Sequence, residues 1–449
     1  MTGGTRWSGR ALRTPVDAQR VWDGEASVST TANAVTTSTT QAPVERQPAP
    51  TLGRGPQFGI LVVGTVLAAL LLVGTALVGG TRIAVTAGLG LALGLVLFHS
   101  RFGFTSAWRQ LVAVGQGRAL RAQMLMLAVA TVLFAPILAT GVGLFGTSPT
   151  GYVSPLSTSV VLGAFLFAVG MQVGGACASG ARYTVGSGHS AIVLTLGGFV
   201  LGSVLATWPF TFLTKTLPTG PSVSLAASRL GYGGAVAVQL GVLAVLAGIS
   251  LLVQRRRTPP PVAPVPTARA AVRVLRGSWP LWVGSLALAV LNAAWLLVNG
   301  KPWGITSAFA LWGAKAARAV GVPVQSWDYW GTPANATALN SPVLADPTTA
   351  SDLGIIIGAL LAAGAAGTFL LHRRIPARIA LGAVLGGIAM GFGARIAYGC
   401  NIGAYFGGIA SFSLHGWFWA AAALVGTIAG LRLRPLFGLS VPTASDSTC

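Results

Sequence analysis

Long apolar runs, interrupted by short polar or basic segments, dominate the chain from about residue 58 onward. Ten of these runs are long enough, or nearly so, to cross a bilayer as helices. They fall at 58–79, 81–98, 122–146, 157–175, 190–208, 233–253, 279–298, 353–371, 379–396 and 413–431. The pattern predicts an all-α polytopic membrane protein with about ten transmembrane helices.

Two further stretches, 103–118 and 304–320, are amphipathic, and charged or polar residues interrupt them. Each opens with a similar phrase, Gly-Phe-Thr-Ser-Ala in the first and Gly-Ile-Thr-Ser-Ala in the second. We expect both to be re-entrant helices, the first entering from the cytoplasm and the second from outside. The alternative is that they lie along the membrane interface.

Basic residues set the orientation of the spans. Arginines crowd the segment 254–278, which should therefore lie in the cytoplasm. Counting outward from this segment places the other basic clusters on the same side. Both termini are then cytoplasmic, and the loop 321–352 lies outside.

A glycine–cysteine phrase occurs twice in the apolar sequence. Gly163, Gly170, Cys177 and Gly180 recur with identical spacing as Gly386, Gly393, Cys400 and Gly403. With the predicted orientation, corresponding spans run in opposite directions, which is an inverted repeat around a central pathway. The pairs are 81–98 with 279–298, 122–146 with 353–371, 157–175 with 379–396 and 190–208 with 413–431, with 58–79 and 233–253 outside the repeat.

These boundaries divide the chain into five parts. They are a disordered cytoplasmic tail (1–55), a first transmembrane half (56–253), a basic cytoplasmic linker (254–278), a second, inverted half (279–435) and a C-terminal tail (436–449).

Composition excludes a soluble protein, because 53% of the residues are hydrophobic and only 8% are charged. The net charge of +21 does not indicate nucleic-acid binding, since the basic residues are scattered between apolar spans. The acids are more informative. No aspartate or glutamate lies between Glu45 and Asp328, and the loop 321–352 holds Asp328, Asp346 and Asp352. An interior without carboxylates favours an anion and predicts no proton- or sodium-coupling site.

The two cysteine loops carry the candidate substrate contacts. Their glycine-rich backbone is tolerated at membrane depth where it faces protein or a cavity. A neutral thiol can donate weakly to a soft, sulfur-bearing anion. The predicted substrate-binding residues are Cys177, Cys400, Gly175, Gly180, Ser179, Gly399, Asn401, Gly403, Thr105, Thr306, Arg182 and Arg395.

Simpler roles remain open for several of these residues. The glycines would also permit close helix packing, the cysteines could be small core residues, and Arg182 and Arg395 could be interfacial anchors. If they are not interfacial anchors, the two arginines would supply positive potential near the ends of the pathway. Cys449 is interpreted as an incidental surface thiol. No catalytic residue, metal site or cofactor is predicted.

The phrases KPWGITSAFALWGAK (301–315), GGACASG (174–180) and YGCNIGAYFGGIASFSLHGW (398–417) resemble the YeeE/YedE sulfur-transport family over residues 57–435. The resemblance implies an hourglass-shaped inner-membrane protein that takes up thiosulfate, passing it along cysteines by S–H···S contacts. Cys177 and Cys400 match those positions. Family members commonly carry a further cysteine where this chain has Gly103.

The resemblance also implies a small cytoplasmic sulfurtransferase partner of the TusA type. Some relatives are linked with selenium metabolism, so a selenium analogue is an alternative substrate. A membrane sulfurtransferase or a thiol-redox relay is a second possible function, and a scaffold for a sulfur-handling complex is a third. We expect a transporter of a sulfur-containing anion rather than an enzyme, with the lipid bilayer as its surroundings.

Overall fold

The computed structural model describes residues 55–188, 190–259, 272–371 and 375–442. The tail up to residue 54, Cys449 and parts of the basic linker and of the C-terminal tail lie outside these residues. Within them the chain is almost entirely helical, and several helices are long and apolar. The predicted fold class, an all-α polytopic membrane protein, is confirmed.

The α-helices are α1 (Phe58–Ser100), α2 (Phe104–Val114), α3 (Arg118–Thr140), α4 (Thr158–Val173), α5 (Ala178–Gly186), α6 (Ser190–Leu205), α7 (Phe210–Thr216), α8 (Gly231–Arg257), α9 (Val272–Arg276), α10 (Leu281–Asn299), α11 (Thr306–Ala319), α12 (Asp328–Gly331), α13 (Pro333–Asn340), α14 (Pro347–Ala366), α15 (Ala377–Ile396), α16 (Gly408–Ala410) and α17 (Leu414–Leu433). A π-helix spans Asn401–Gly407, and 3-10 turns span Val324–Ser326, Val343–Ala345 and Arg434–Phe437. The strands β1 (Pro155–Ser157) and β2 (Thr219–Ser222) form an antiparallel pair.

Among the described residues, seven helices are long and apolar enough to cross a membrane, or eight if α6 and α7 form one span bent by 65°. Helix α4 has 16 residues, fewer than the roughly 20 that a full crossing needs. Helix α1 has 43 residues and contains two of the predicted spans. The count of ten spans is therefore not confirmed and stays a prediction.

Gly80 divides α1 into two limbs. It has a left-handed φ of 75° and a ψ of −178°, a combination that glycine adopts without a steric penalty. Before Gly80 the chain runs antiparallel to α14, and after it the chain runs parallel to α14. The contacts that show this are Gly64 with Leu361, Gly74 with Leu344, Gly90 with Ser351 and Gly94 with Ile355. The chain direction thus reverses at Gly80.

Corresponding helices of the two halves run in opposite directions. Helices α4 and α15 are directly antiparallel, and so are the second limb of α1 and α10. Helix α3 runs parallel to α10, and α14 runs parallel to the second limb of α1. Likewise, α6 is parallel to α15 and α17 is parallel to α4. The supporting contacts are Gly163–Gly393, Gly170–Gly386, Ser100–Gly284, Thr86–Asn299, Ala122–Ser285, Thr195–Gly387, Phe199–Gly391, Phe165–Gly426 and Val169–Gly430.

A fifth pair of helices corrects one expectation. The segments 58–79 and 233–253 were expected outside the repeat, yet they occupy equivalent places. The first limb of α1 packs antiparallel against α14, and α8 packs antiparallel against α3, the counterpart of α14. The difference lies in chain order. Helix α8 packs on the first half and follows it in the chain, whereas the first limb of α1 packs on the second half but precedes both halves. Pattern comparison along the sequence misses such a rearrangement.

Glycines allow α4 and α15 to cross in close contact. A Cβ atom at Gly163 would lie 2.6 Å from the carbonyl oxygen of Gly393, and one at Gly170 would lie 2.6 Å from that of Gly386. Contacts this short leave no room for a side chain, so the predicted packing role of these glycines is confirmed. The crossing helices end at Val173 and Ile396, immediately before the two cysteine loops.

Helices α2 and α11 are too short to cross a membrane, and their first turns are buried. Phe104 and Ala107 on α2 and Ala308 and Phe309 on α11 are at most 1% exposed. Phe104 and Phe309 belong to the same hydrophobic core as Cys177 and Cys400. This burial agrees with helices that enter the protein interior and disagrees with helices that lie flat on its surface.

Candidate functional site

Cys177 lies in the sharp turn between α4 and α5. Gly175 in that turn has a φ of 83°, which lets the chain reverse before α5 begins at Ala178. The Cys177 side chain is 1% exposed, and its Sγ accepts a hydrogen bond from the backbone N–H of Gly180 at 3.4 Å. The hydroxyl of Ser179 lies 3.5 Å from the same sulfur. Because Sγ is the acceptor for the N–H, the thiol proton stays available as a donor.

Cys400 occupies the equivalent place after α15. Tyr398 and Gly399 have φ values of 57° and 152°, and Trp419 donates its indole N–H to the Gly399 carbonyl at 3.1 Å. Cys400 caps the π-helix by accepting the Ile402 N–H on Sγ at 3.4 Å. Such helical irregularities commonly mark functional sites. Each thiol therefore accepts a backbone N–H from a residue shortly after it, Gly180 in the first half and Ile402 in the second.

The structure brings both thiols and Arg182 together. Cys177 and Cys400 are each 1% exposed and belong to one continuous core, although they come from different halves of the chain. Arg182 lies on α5, which begins immediately after Cys177, and its guanidinium lies over the ring of Phe309 in the same core. The two thiols and Arg182 therefore belong to one buried region that both halves of the chain form.

Open space adjoins each cysteine loop. A Cβ atom added at Gly403 would meet no other atom within 4 Å, and one at Gly175 would meet only the Cδ1 atom of Ile192, at 3.9 Å. Both glycines are half-buried, whereas their neighbours are mostly buried. Gly180 differs, because a Cβ atom there would lie 3.3 Å from the Cys177 sulfur. The glycines at 175 and 403 thus leave open space next to the backbone of the two cysteine loops.

Two predicted contact residues have buried polar atoms without a partner. Asn401 is 2% exposed, and neither its amide oxygen nor its amide nitrogen makes a hydrogen bond. The hydroxyl of Thr105, at the start of α2, is also buried and unbonded. Buried polar side chains nearly always have a partner, so these atoms are candidates for contacting a polar solute.

Arg182 lies in the protein interior. It is completely buried, donates to Asp352 at 2.7 Å and to the Ile305 carbonyl at 3.1 Å, and lies 4.4 Å from the centre of the Phe309 ring. Its positive charge is thus compensated by a carboxylate and a carbonyl dipole.

Asp352 overturns the expectation of an interior without carboxylates. The sequence placed it in the outer loop, one residue before a predicted span, but α14 begins at Pro347 and Asp352 lies in its second turn, completely buried. The sequence feature that indicates this helix start is Asp346 followed by Pro347, since an aspartate cap with proline at the first helical position marks a helix start. Asp346 does cap α14 by accepting the Thr349 N–H at 2.7 Å.

Arg395, near the end of α15, also contacts the start of α11. Its guanidinium donates to the Thr306 carbonyl at 2.8 Å and to the Tyr329 hydroxyl at 2.7 Å, and it lies 5.3 Å from the centre of the Tyr329 ring. Unlike Arg182, it is only partly buried. Tyr329 comes from α12 in the long loop before α14 and was not predicted as a site residue.

The two halves differ in charge at equivalent positions. Gln172 lies five residues before Cys177, as Arg395 lies five residues before Cys400, and it donates to the Thr105 carbonyl at 3.5 Å. Arg395 donates likewise to the Thr306 carbonyl. Both arginines thus lie around α11, whereas Gln172 takes the equivalent position near α2.

Comparison with known proteins agrees with this architecture. The family model described as sulphur transport matches residues 99–429. The thiosulfate transporter TsuA of Spirochaeta thermophila is 27% identical over 359 residues, 77% of this chain and 97% of that protein. TsuA of Escherichia coli is 27% identical over 356 residues, 75% of this chain and 90% of that protein.

A third similarity is stronger but shorter. The probable transporter YedE of Salmonella typhimurium is 36% identical over 166 residues, which cover 35% of this chain and 38% of YedE. The aligned part therefore spans less than half of that relative. The family match, in contrast, includes both cysteine loops and most of the two halves. This chain belongs to the sulphur transport family.

Proposed function

We propose that the protein takes up thiosulfate, or a closely related sulfur oxyanion, along a pathway that passes Cys177 and Cys400. The observation that carries this proposal is the matched pair of buried thiols, each accepting a backbone N–H on sulfur and each beside a glycine that leaves space. The similarity to two thiosulfate transporters along most of their length supports it.

The chemistry of the site suits a soft anion. Each thiol can donate its proton to a sulfur or oxygen atom of the solute, while the backbone N–H keeps the Sγ atom in place. The amide of Asn401 and the hydroxyl of Thr105 offer the harder contacts that an oxyanion accepts. Gly175, Gly180, Gly399 and Gly403 shape the backbone, and Ser179 supports the first thiol. Arg182, Arg395 and the threonines at the starts of α2 and α11, Thr105 and Thr306, complete the proposed site.

The proposed setting is the cell membrane, with both termini in the cytoplasm. The division into the tail (1–55), the halves (56–253 and 279–435), the linker (254–278) and the C-terminal tail (436–449) forms part of this proposal. It rests on the basic residues of the linker and on the opposed helix directions. We also propose that a TusA-like sulfurtransferase consumes the anion on the cytoplasmic side. No covalent chemistry on the anion is assigned to this chain.

Uptake of ³⁵S-labelled thiosulfate by cells that lack other sulfur importers tests the function. Cells that express the protein should accumulate label above vector controls, and unlabelled thiosulfate should compete. Parallel competition with sulfite, sulfide and selenite ranks the solutes. Preference for a selenium compound would replace thiosulfate as the substrate, and absence of uptake of any of them would contradict the proposal.

A further inference from the structure

The Arg182–Asp352 pair is asymmetric in its hydrogen bonding. Oδ2 of Asp352 accepts from the Arg182 guanidinium at 2.7 Å, whereas Oδ1 is buried and has no hydrogen-bond partner. Both side chains are completely shielded from solvent. A buried carboxylate with a single charged partner depends on that partner for its ionised state.

Arg182 is the charged residue that contacts Asp352 among the described parts of the chain. The other charged groups on the elements around α14 have their own partners, or lie at the start of α14 itself. They are Arg82 with Asn299 on α10, Arg276 with the carbonyl of Ala365, Lys315 with the carbonyls of Leu339 and Ser341, Arg318 with Asn340, and Asp346 with Thr349.

The guanidinium that holds Asp352 belongs to α5, the helix that begins immediately after Cys177, and it lies over Phe309, which shares one core with both cysteines. An anion at Cys177 and Cys400 would therefore compete with Asp352 for Arg182. As the anion draws the guanidinium away, the carboxylate would be left charged in an apolar interior, which is strongly unfavourable. Binding a proton removes that charge.

We propose that Asp352 binds a proton when the sulfur anion engages Arg182, so that one proton accompanies each anion into the cell. This inference rests on the proposed function and adds its driving force. The proton comes from the outer aqueous phase, binds a carboxylate oxygen of Asp352, and leaves to the cytoplasm when the anion departs and Asp352 pairs with Arg182 again. No bond within the anion forms or breaks.

Charge balance favours this arrangement. A dianion alone carries two negative charges against an inside-negative membrane potential, whereas a dianion with one proton carries one. The equivalent position in the other half is neutral, because Tyr405 follows Cys400 at the spacing at which Arg182 follows Cys177. Tyr405 packs edge-on against Trp108, with ring centroids 5.5 Å apart. The expected stoichiometry is therefore one proton for each anion.

The sequence predicted indifference to a proton gradient because no intramembrane carboxylate was recognised. Asp352 removes the basis of that prediction. Proton-coupled uptake and uptake that is indifferent to the proton gradient can be distinguished by transport measurements on the purified full-length protein in liposomes. Valinomycin and equal potassium on both sides hold the membrane potential at zero.

With an inward gradient of one pH unit, labelled thiosulfate should accumulate up to about tenfold above its external concentration, since one unit corresponds to a tenfold ratio of protons. Adding thiosulfate without an imposed gradient should acidify the lumen, as reported by trapped pyranine. A sodium gradient should have no effect. Downhill uptake that ignores the pH gradient and leaves the lumen pH unchanged would overturn this inference alone. No thiosulfate uptake at all would overturn the proposed function as well.

Variants of the carboxylate locate the proton site. Asp352→Asn should abolish gradient-driven accumulation yet retain exchange of labelled for unlabelled thiosulfate, and Asp352→Glu should preserve accumulation. Asp346→Asn, the matched control at the start of the same helix, should behave like the wild type. Accumulation in Asp352→Asn at the wild-type level would overturn the assignment. If that variant fails to fold, lumen acidification by the wild-type protein and the response of Asp352→Glu decide the matter.

Discussion

Tyr329 lies directly over Arg395, with its hydroxyl 2.7 Å from the guanidinium and its ring centre 5.3 Å away. The ring also packs edge-on against Phe210, at a centroid distance of 5.1 Å. The loop that precedes α14 thus covers Arg395, a partly exposed arginine that contacts the start of α11. An anion arriving from this side would compete with the Tyr329 hydroxyl for the Arg395 guanidinium.

Removal of the Tyr329 hydroxyl should therefore make capture easier. In Tyr329→Phe the ring remains, but one guanidinium donor becomes available, and a hydrogen bond to a charged group contributes about 1.5–3 kcal/mol. We expect the apparent KM for thiosulfate uptake to fall about tenfold or more, since about 1.4 kcal/mol corresponds to a factor of ten. Arg395→Gln should raise it. Tyr232→Phe is the control, because Tyr232 packs edge-on against Phe412 instead. Equal KM values in Tyr329→Phe and the control would contradict this expectation.

Replacement of either interior cysteine should impair transport. Cys177→Ala and Cys400→Ala each remove a thiol donor, and we expect uptake at subsaturating thiosulfate to fall by about tenfold or more. Serine variants should be intermediate or nearly as impaired, because a hydroxyl retains a donor but not the soft sulfur atom. Cys449→Ala should have no effect. Normal uptake by both alanine variants at equal expression would show that the thiols only pack.

Cysteine labelling tests the predicted topology. A cysteine at Ala334, in α13, should react with an impermeant maleimide added to intact cells, because the distribution of basic residues places this loop outside. A cysteine at Thr258, after the basic end of α8, should react only after the cells are opened. Cys449→Ser provides the background, since Cys177 and Cys400 are buried. Labelling at 334 from the cytoplasmic side alone would reverse the orientation.

Two adjacent glycines on α6 test the close packing against α15. A Cβ atom at Gly198 would lie 2.4 Å from the Val384 carbonyl oxygen, whereas one at Gly197 would meet nothing within 4 Å. Gly198→Ala should lower the free energy of unfolding by about 1–3 kcal/mol through overpacking. Gly197→Ala should be neutral or raise it by about 0.5–1 kcal/mol, because alanine favours a helix.

Thermal unfolding of the detergent-solubilised variants, followed by a thiol-reactive dye, measures the difference between these two substitutions. The buried Cys177 and Cys400 become reactive when the core opens. Similar unfolding temperatures for Gly197→Ala and Gly198→Ala would show that α6 and α15 are further apart than the structure places them.

Local sequence was enough for the features that depend on neighbours along the chain. The apolar runs identified most helices, because an apolar segment in a bilayer has to satisfy its own backbone hydrogen bonds. The repeated Gly163–Gly170–Cys177 spacing identified two equivalent halves, and the short contacts between α4 and α15 confirm its packing role. Both cysteine loops were found in this way, with Asn401 beside the second.

Only the tertiary structure decided which distant groups meet. Arg182 and Asp352 are 170 residues apart, so no local pattern records their contact, and Asp352 looked like a loop residue one position before an apolar run. The place of the first limb of α1 beside α14 likewise depends on packing and not on order along the chain. Hydropathy determined which segments enter the membrane. Only folding decided which buried charges pair, and this matters because a carboxylate stays ionised in an apolar interior only where folding provides its partner.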